Sequence, residues 1–259
     1  MGLITLTTDW RSSDHFHGAV RGRILTLCPG ATVVDLATGL KPFDLKEAAF
    51  VMQHGYPHFP EGTVHLCGVQ SAVGAKPLLA LHRGQYFILP DNGIIGMIFP
   101  DGPEEVFRLT VVEEESLFPL LDQMVPAACE LLQGKTPAEL GLPENEMKLF
   151  RPLSPTVEEN SINGLVIHID SYDNLVTNIS RELFERVGRG RPFELYPGTG
   201  RSIYRITRLS RNYHGLADGD LFALFNSLDL LEIGMMHANA ASLLGVELQS
   251  TVQITFLSK

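Results

Sequence analysis

Along the first half of the chain, apolar positions switch between a period of two and a helical period. "LITLTT" (3–8) carries β-branched alternation and predicts a strand, whereas Phe16, Val20, Ile24 and Leu27 recur at helical spacing until Pro29 and Gly30 stop the run. "ATVVDL" (31–36) reads as a second buried strand. "DLKEAAFVMQHG" (44–55) reads as a helix, with Asp44 as N-cap and Glu47 three residues on in the form of a capping box. "TVHLCGV" (63–69), "PLLAL" (77–81) and "QYFIL" (85–89) are further strand candidates. Helices alternating with strands predict an α/β unit with a mostly parallel central sheet.

From about residue 110 the pattern loosens. "PLLDQMVPAACELLQG" (119–134) predicts a helix interrupted near Pro126, and a Pro-rich, acidic stretch follows it. After that come short strand signals with Gly turns, "NGLVIHID", "NLVTNI", "PFELYPG", "SIYRIT" and "DLFALF", then one helix at 237–245 and a last strand "TVQITF". Short strands at this spacing predict a small antiparallel, β-barrel-like unit. The expected organisation is therefore an N-terminal α/β domain over 1–135, a linker over 136–160 and a smaller C-terminal antiparallel β-barrel-like domain over 161–259.

Composition narrows the function classes. Hydrophobic residues make up 44% and charged residues 19% of the 259 residues, enough apolar surface for a folded core. The net charge of −10, with acids and bases interspersed, argues against a nucleic-acid face or an anionic membrane surface. The one basic cluster, "RVGRGRP" (186–192), reads as a solvated turn rather than a phosphate cradle. Cys28, Cys67 and Cys129 are widely spaced in apolar contexts, the pattern of buried thiols rather than of a disulfide frame or zinc site. With no basic leader and no long apolar run, the expected location is cytoplasmic.

Polar clusters stand where strands end. Asp9 follows the first strand at the carboxyl edge where open α/β sheets place ligands, and Asp14 is the better-placed cap for the helix beginning near His15, which leaves Asp9 for a ligand. His15 and His17 are two apart and point to different helix faces, with no third ligand at useful spacing, so no metal site is expected. "PDNG" (90–93) is foremost a turn. "HANAAS" (237–242) places small residues at a helix start, which suits close packing as well as close approach of a ligand. "IDSYDNLVTNIS" (169–180) crowds Asp170, Tyr172, Asp173, Asn174 and Asn178 into a strand-like segment. No Gly-rich dinucleotide loop, Walker pattern or serine elbow is present.

Taken in order, "ITLTTDW", "KPFDLKEAAFVMQ", "FPEGTVHL", "LPDNGIIG", "IDSYDNLVTNI", "NSLDLLEIG" and "NAASLLG" resemble the signature segments of the S-adenosyl-L-methionine (SAM) hydroxide adenosyltransferase family, relatives of the fluorinase and chlorinase. Single segments are weak, but seven in the right order across the whole chain are specific. The resemblance implies a homotrimer in which SAM or adenosine lies between the N-terminal domain of one subunit and the C-terminal domain of a neighbour. It implies that Asp9 holds the ribose hydroxyls, Phe43 packs on the nucleoside and Tyr172 stacks on adenine. Asp170 and Asn174 would contact the methionine portion and the adenine edge, Ser227 the methionine carboxylate and Ala240 the adenine amino group. A planar base is served by a ring and edge acceptors, a diol by a carboxylate. The implied reaction is displacement of methionine at ribose C5′ by water or halide, with neither metal nor cofactor, so that catalysis consists mainly of aligning and desolvating the nucleophile.

The attacking side departs from the family. Gln70 in "VQSAVG" stands where the hydrolases carry Asp, and a neutral amide is no base. Lys76 stands for Arg, keeping charge without the planar fork. Pro119 in "FPLLD" stands for His. The halogenase pattern is missing too, with Gln70 at its Tyr position, Val73 at its Thr position and Leu120 at its Ser position. The expectation is a SAM- or adenosine-binding protein with a degenerate water-activating triad. The alternatives are a SAM hydrolase using substitute residues and an enzyme acting on another adenosine derivative.

Overall fold

The computed structural model describes residues 2–71, 76–110, 116–198 and 204–258, and the chain divides into two compact units, Met1–Pro152 and Leu153–Lys259.

The first unit contains β1 (Leu3–Thr7), α1 (His15–Leu27), β2 (Thr32–Ala37), α2 (Leu45–Gly55), β3 (Val64–Cys67), β4 (Leu78–His82), β5 (Gln85–Leu89), α3 (Ile95–Ile98), β6 (Glu105–Leu109), α4 (Val125–Leu132), α5 (Pro137–Leu140) and β7 (Gly141–Pro143). Its seven strands form one mixed sheet in the order β2-β1-β3-β5-β4-β6-β7. Parallel pairing is confined to β2-β1-β3-β5, and β4, β6 and β7 pair antiparallel, so the expected mostly parallel sheet is found only in that half. The cause is local. Arg83 and Gly84 both have positive φ, 50° and 68°, and two such residues make the tight turn that folds β4 back on β5.

Strand periodicity sends alternate side chains to opposite faces. Ile4, Leu6, Val64, Leu66, Leu79 and Ile88 pack in one buried cluster with Val20 and Ile24 of α1 and residues of α4. Cys67, Leu78, Ala80, Phe87 and Leu89 pack in another with Ala48, Ala49 and Met52 of α2 and with α3. Both faces are thus covered, and each fully buried aliphatic side chain contributes roughly 1.5–3 kcal/mol. The helical run expected over 119–134 changes type next to Pro126: a π-helical turn, Leu120–Met124, gives way to α4, whose first turn holds the proline, where its missing N–H is not needed. Asp44 caps α2 by accepting from Lys46 N and Glu47 N, while Glu47 Oε2 reaches back to Lys41 N at 2.8 Å rather than to the cap residue's own amide.

The second unit contains β8 (Thr156–Val157), β9 (Ser161–Ile169), β10 (Leu175–Ser180), α6 (Arg181–Gly188), β11 (Phe193–Pro197), β12 (Leu221–Phe225), β13 (Leu230–Met235), α7 (Ala240–Leu244) and β14 (Thr251–Phe256). The strands run β11-β14-β9-β10-β13-β12, with β8 on β9, and every pair is antiparallel. The first part of β9 pairs with β14 and the last part with β10, where the register slips between Val176 and Thr177. Such irregularities bend a strand and curl the sheet, giving a half-barrel around one apolar cluster. Residues 186–188, expected in a turn, close α6 instead. Ser180 Oγ caps that helix by accepting from Leu183 N at 3.1 Å, and Arg189 and Gly190, at φ 50° and 69°, end it. Of "SIYRIT", residues 202 and 203 lie outside the described residues, and Ile206 makes only an isolated bridge to Leu195.

Candidate functional site

In the first unit the candidate residues gather where the parallel strands end. β1 lies between β2 and β3, and the carboxyl ends of such strands are where open α/β sheets place their ligands. Asp9 follows β1, Gln70 follows β3 and the Asp91–Asn92 turn follows β5. Gly68 N donates to Thr7 O at 2.8 Å and Gly39 N to Trp10 O at 2.7 Å, which ties the strand ends together.

Asp9 is already engaged: its Oδ2 accepts from Phe43 N at 2.9 Å. That bond holds Phe43 at φ 65°, and the residue is 72% exposed beside the sheet edge. Asp14 occupies the N-cap position of α1 but makes no side-chain cap bond. Its Oδ2 accepts from Arg11 N at 3.1 Å instead. Asp14 thus stands at the expected cap position without the expected side-chain cap bond, and Asp9 has one oxygen on a loop amide. His17 leans on Asp35 at 3.5 Å, which Arg21 also grips at 2.7 and 2.8 Å.

Around Gln70, Lys76 and Pro119 the structure combines a polar network with an aromatic cluster. Gln70 has φ 50°, and Asn92 Nδ2 donates to Val69 O at 3.2 Å and to Gln70 O at 3.5 Å. Asn92 was read from sequence only as a turn residue, yet it fixes the Gln70 loop. Its partner Asp91 is buried, accepting from Arg108 at 3.0 Å and from Lys148 N at 2.9 Å. Lys76 is half-buried, and its carbonyl accepts from Arg108 at 3.1 Å. Pro119 precedes the π-helical turn. Beside it Phe118, Phe16 and Trp10 form an aromatic trio with centroids 5.2–5.5 Å apart. Asp122 is held by Ser116 Oγ at 2.7 Å. Val73 lies outside the described residues. Thr7 and Thr8 are buried, and among the described residues neither hydroxyl has a partner. Burial pushes the Cys67 thiol up to about 12 and the Cys129 thiol up to about 11, which leaves both unreactive at neutral pH.

In the second unit the crowded polar segment proves to be a self-organised turn between β9 and β10. Asp170 Oδ1 accepts from Tyr172 N and Asn174 N, each at 2.9 Å, and its Oδ2 accepts from Asn174 Nδ2 at 3.2 Å. The turn carries Tyr172 outward, 78% exposed. Asp173, at φ 66°, takes Ser242 N on its carboxylate and Ala241 N on its carbonyl, both at 3.0 Å, so it caps α7 and places Ala240, which is buried, at the helix start. Sequence reading gave Asp173 no role, although an acid in a tight turn facing a small-residue helix start is a recognisable cap. Asn178 is structural, bonded to Leu165 N and Leu153 O at 2.8 Å each. Ser227 is exposed on the turn between β12 and β13. The structure thus groups Asp9, Phe43 and Gln70 at one sheet edge, and Asp170, Tyr172, Asn174 and Ala240 around one turn.

Among the described residues no helix is long and apolar enough to cross a membrane. Residues 4–141 match the SAM hydroxide adenosyltransferase N-terminal domain and residues 164–253 the C-terminal domain of the same family. The chain is 28% identical to an (R)-S-adenosyl-L-methionine hydrolase of Thermus thermophilus, over 95% of this chain and 97% of that protein. It is 25% identical to one of Methanocaldococcus jannaschii, over 99% and 97%. A crystal structure of an uncharacterized conserved protein from Thermotoga maritima shares the fold with a TM-score of 0.87 at 23% identity, covering 98% of this chain and 99% of that one. With both domains matched in order along the chain, the protein belongs to the SAM hydroxide adenosyltransferase family.

Proposed function

We propose that this protein binds SAM or adenosine as a homotrimer, with the ligand held between the first unit of one subunit and the second unit of a neighbour, and that its attacking side is too altered for efficient hydrolysis. The observation that carries the reading is the contrast between the two sides. Exposed rings on fixed loops, Phe43 and Tyr172, suit a purine nucleoside, and the carboxylate of Asp9 and the turn of Asp170 and Asn174 supply acceptors and donors around it. Neither the amide of Gln70 nor the ring of Pro119 can take a proton as a carboxylate or an imidazole would, and Phe16, Phe118 and Trp10 make the surroundings of Pro119 apolar.

A second reading is an active SAM hydrolase yielding adenosine and methionine, in which Gln70 and Lys76 orient the water. It is favoured by the whole-length similarity to proteins named as SAM hydrolases and by chemistry, because a sulfonium leaving group needs little beyond alignment of the nucleophile. Incubating the protein with SAM and separating the products decides between them. Binding of SAM or adenosine by calorimetry without adenosine and methionine release above background is expected. Release that disappears in Asp9→Ala would establish the hydrolase instead, and a monomer in sedimentation would remove the shared site.

A further inference from the structure

Behind the Ser227 turn lies a carboxylate that none of the roles above uses. Glu232 lies on the face of β13 opposite the core residues Leu231 and Ile233, yet is only 4% exposed. Each of its oxygens meets a neutral donor: Tyr213 O–H reaches Oε1 at 2.8 Å and Asn226 Nδ2 reaches Oε2 at 3.1 Å. Burial, together with the Glu232 bond and the nearby Asp170 charge, pushes the Tyr213 phenol well above its ordinary range, so the tyrosine keeps its proton and donates it.

A carboxylate can only accept. Asn226 must therefore turn its NH2 inward, which leaves its Oδ1 facing the turn, where it accepts from Leu228 N at 3.0 Å and Leu230 N at 3.3 Å. Asn226 N also donates to Leu230 O at 3.0 Å, and Asp229 completes the turn at φ 54°. The backbone around Ser227 is thus fixed by which end of one amide faces a buried acid. We propose that Glu232 is a positioning residue for the charged tail of the ligand, acting through Asn226 to hold the turn on which Ser227 is presented. The inference rests on the adenosyl-ligand reading, in which Ser227 faces the methionine carboxylate of SAM.

Glu232→Gln has the same shape but offers one acceptor and one NH2. One of the two donors then faces another donor, and if Asn226 flips to relieve this, its own NH2 turns on the amides of Leu228 and Leu230. Calorimetric titration with SAM and with adenosine tests the consequence. Loss of one buried hydrogen bond at the turn predicts roughly tenfold weaker SAM binding in Glu232→Gln. Adenosine has no methionine tail, and its affinity is expected to stay within about twofold. Asn226→Ala removes the link at the turn itself and is expected to show the same selective loss, which covers the case of a Glu232 variant that does not fold. Unchanged SAM affinity in both variants, or equal losses for both ligands, would overturn the proposal. Wild-type protein that binds neither ligand would instead remove the reading beneath it.

Discussion

His65 is expected to set an acid limit on the stability of the first unit. Gln85 donates its Nε2 to Phe59 O at 3.1 Å, so it presents Oε1 to His65 Nε2 at 2.7 Å, which must donate. His65 Nδ1 is then the acceptor for Thr5 O–H at 2.7 Å, and the neutral ring completes a chain in which every buried polar atom has a partner. Burial against Phe87, 4.7 Å away and stacked, pulls the histidine down from 6.5 to about 4. The folded value is depressed, so above pH 6.5 neither state is protonated and stability is full. Below it the unfolded chain takes up a proton that the folded one refuses, and stability falls until about pH 4. A shift of this size corresponds to roughly 3 kcal/mol in total, of which about 2 kcal/mol is lost by pH 5. Trp10, the single tryptophan, lies in this unit and reports its unfolding. Urea titrations followed by Trp10 fluorescence at pH 7.5, 6 and 5, on wild type and on His65→Gln, isolate the effect from other acid-sensitive groups such as His82. The variant starts less stable, and the gap is expected to narrow by about 2 kcal/mol at pH 5. Parallel stability curves would refute the assignment of a neutral, fully bonded imidazole.

Gly68→Ala would place a Cβ 2.8 Å from Leu120 Cδ2 and 3.1 Å from Thr8 Cγ2, and should destabilise the first unit by about 1–3 kcal/mol in the same fluorescence assay, because the neighbours must shift. In the second unit Asp170→Asn keeps an oxygen for the two backbone amides and should be mild, whereas Asp170→Ala strands three donors and should cost about 1–3 kcal/mol. Thermal melts by calorimetry on the two variants read this ordering, and equal losses would contradict it.

Much of the first unit was legible because its signals are local. Strand alternation and the 3.6 period place β1, α1, β2 and α2 within a residue or two. What was not legible depends on distant partners. The antiparallel half of the sheet turns on Arg83 adopting a left-handed conformation that arginine rarely takes. The helix Arg181–Gly188 was hidden by its charged sequence, in which only Leu183 and the terminal Gly188 are buried. At the candidate site, residue types at strand ends pointed to the carboxyl edge of the parallel strands, where Asp9 and Gln70 do lie, but not to how their polar atoms are used. Asp9 and Asp14 each place one oxygen on a loop amide, Phe43 N and Arg11 N, and Asn92 holds the carbonyl of Val69, just past β3 and 23 residues earlier in sequence. Asp173 and Glu232 have meaning only once α7 and the Ser227 turn are brought against them.

The acids at the sheet edge of the first unit and around the β9–β10 turn of the second accept from backbone amides: Asp9 from Phe43 N, Asp91 from Lys148 N, Asp170 from Tyr172 N and Asn174 N, and Asp173 from Ser242 N. Removing any of them releases a loop. Position 70 differs, because the loop there is held by Asn92 gripping the carbonyls of Val69 and Gln70, and among the described residues the Gln70 side chain makes no hydrogen bond. Its chemistry can therefore change without moving Asp9 or Phe43, which is the physical condition the proposed adenosyl-binding reading requires. Gln70→Asp tests this directly. Aspartate tolerates φ 50° better than glutamine does, so the melting temperature and the adenosine affinity are expected to hold. On the proposed reading, a carboxylate introduced at position 70 should raise SAM hydrolysis at least about tenfold, a fraction of what a fully supported general base provides. A variant that lost adenosine binding would show that the side chain at 70 holds the loop after all, and one that kept binding but gained no turnover would place the missing step at Lys76 and Pro119.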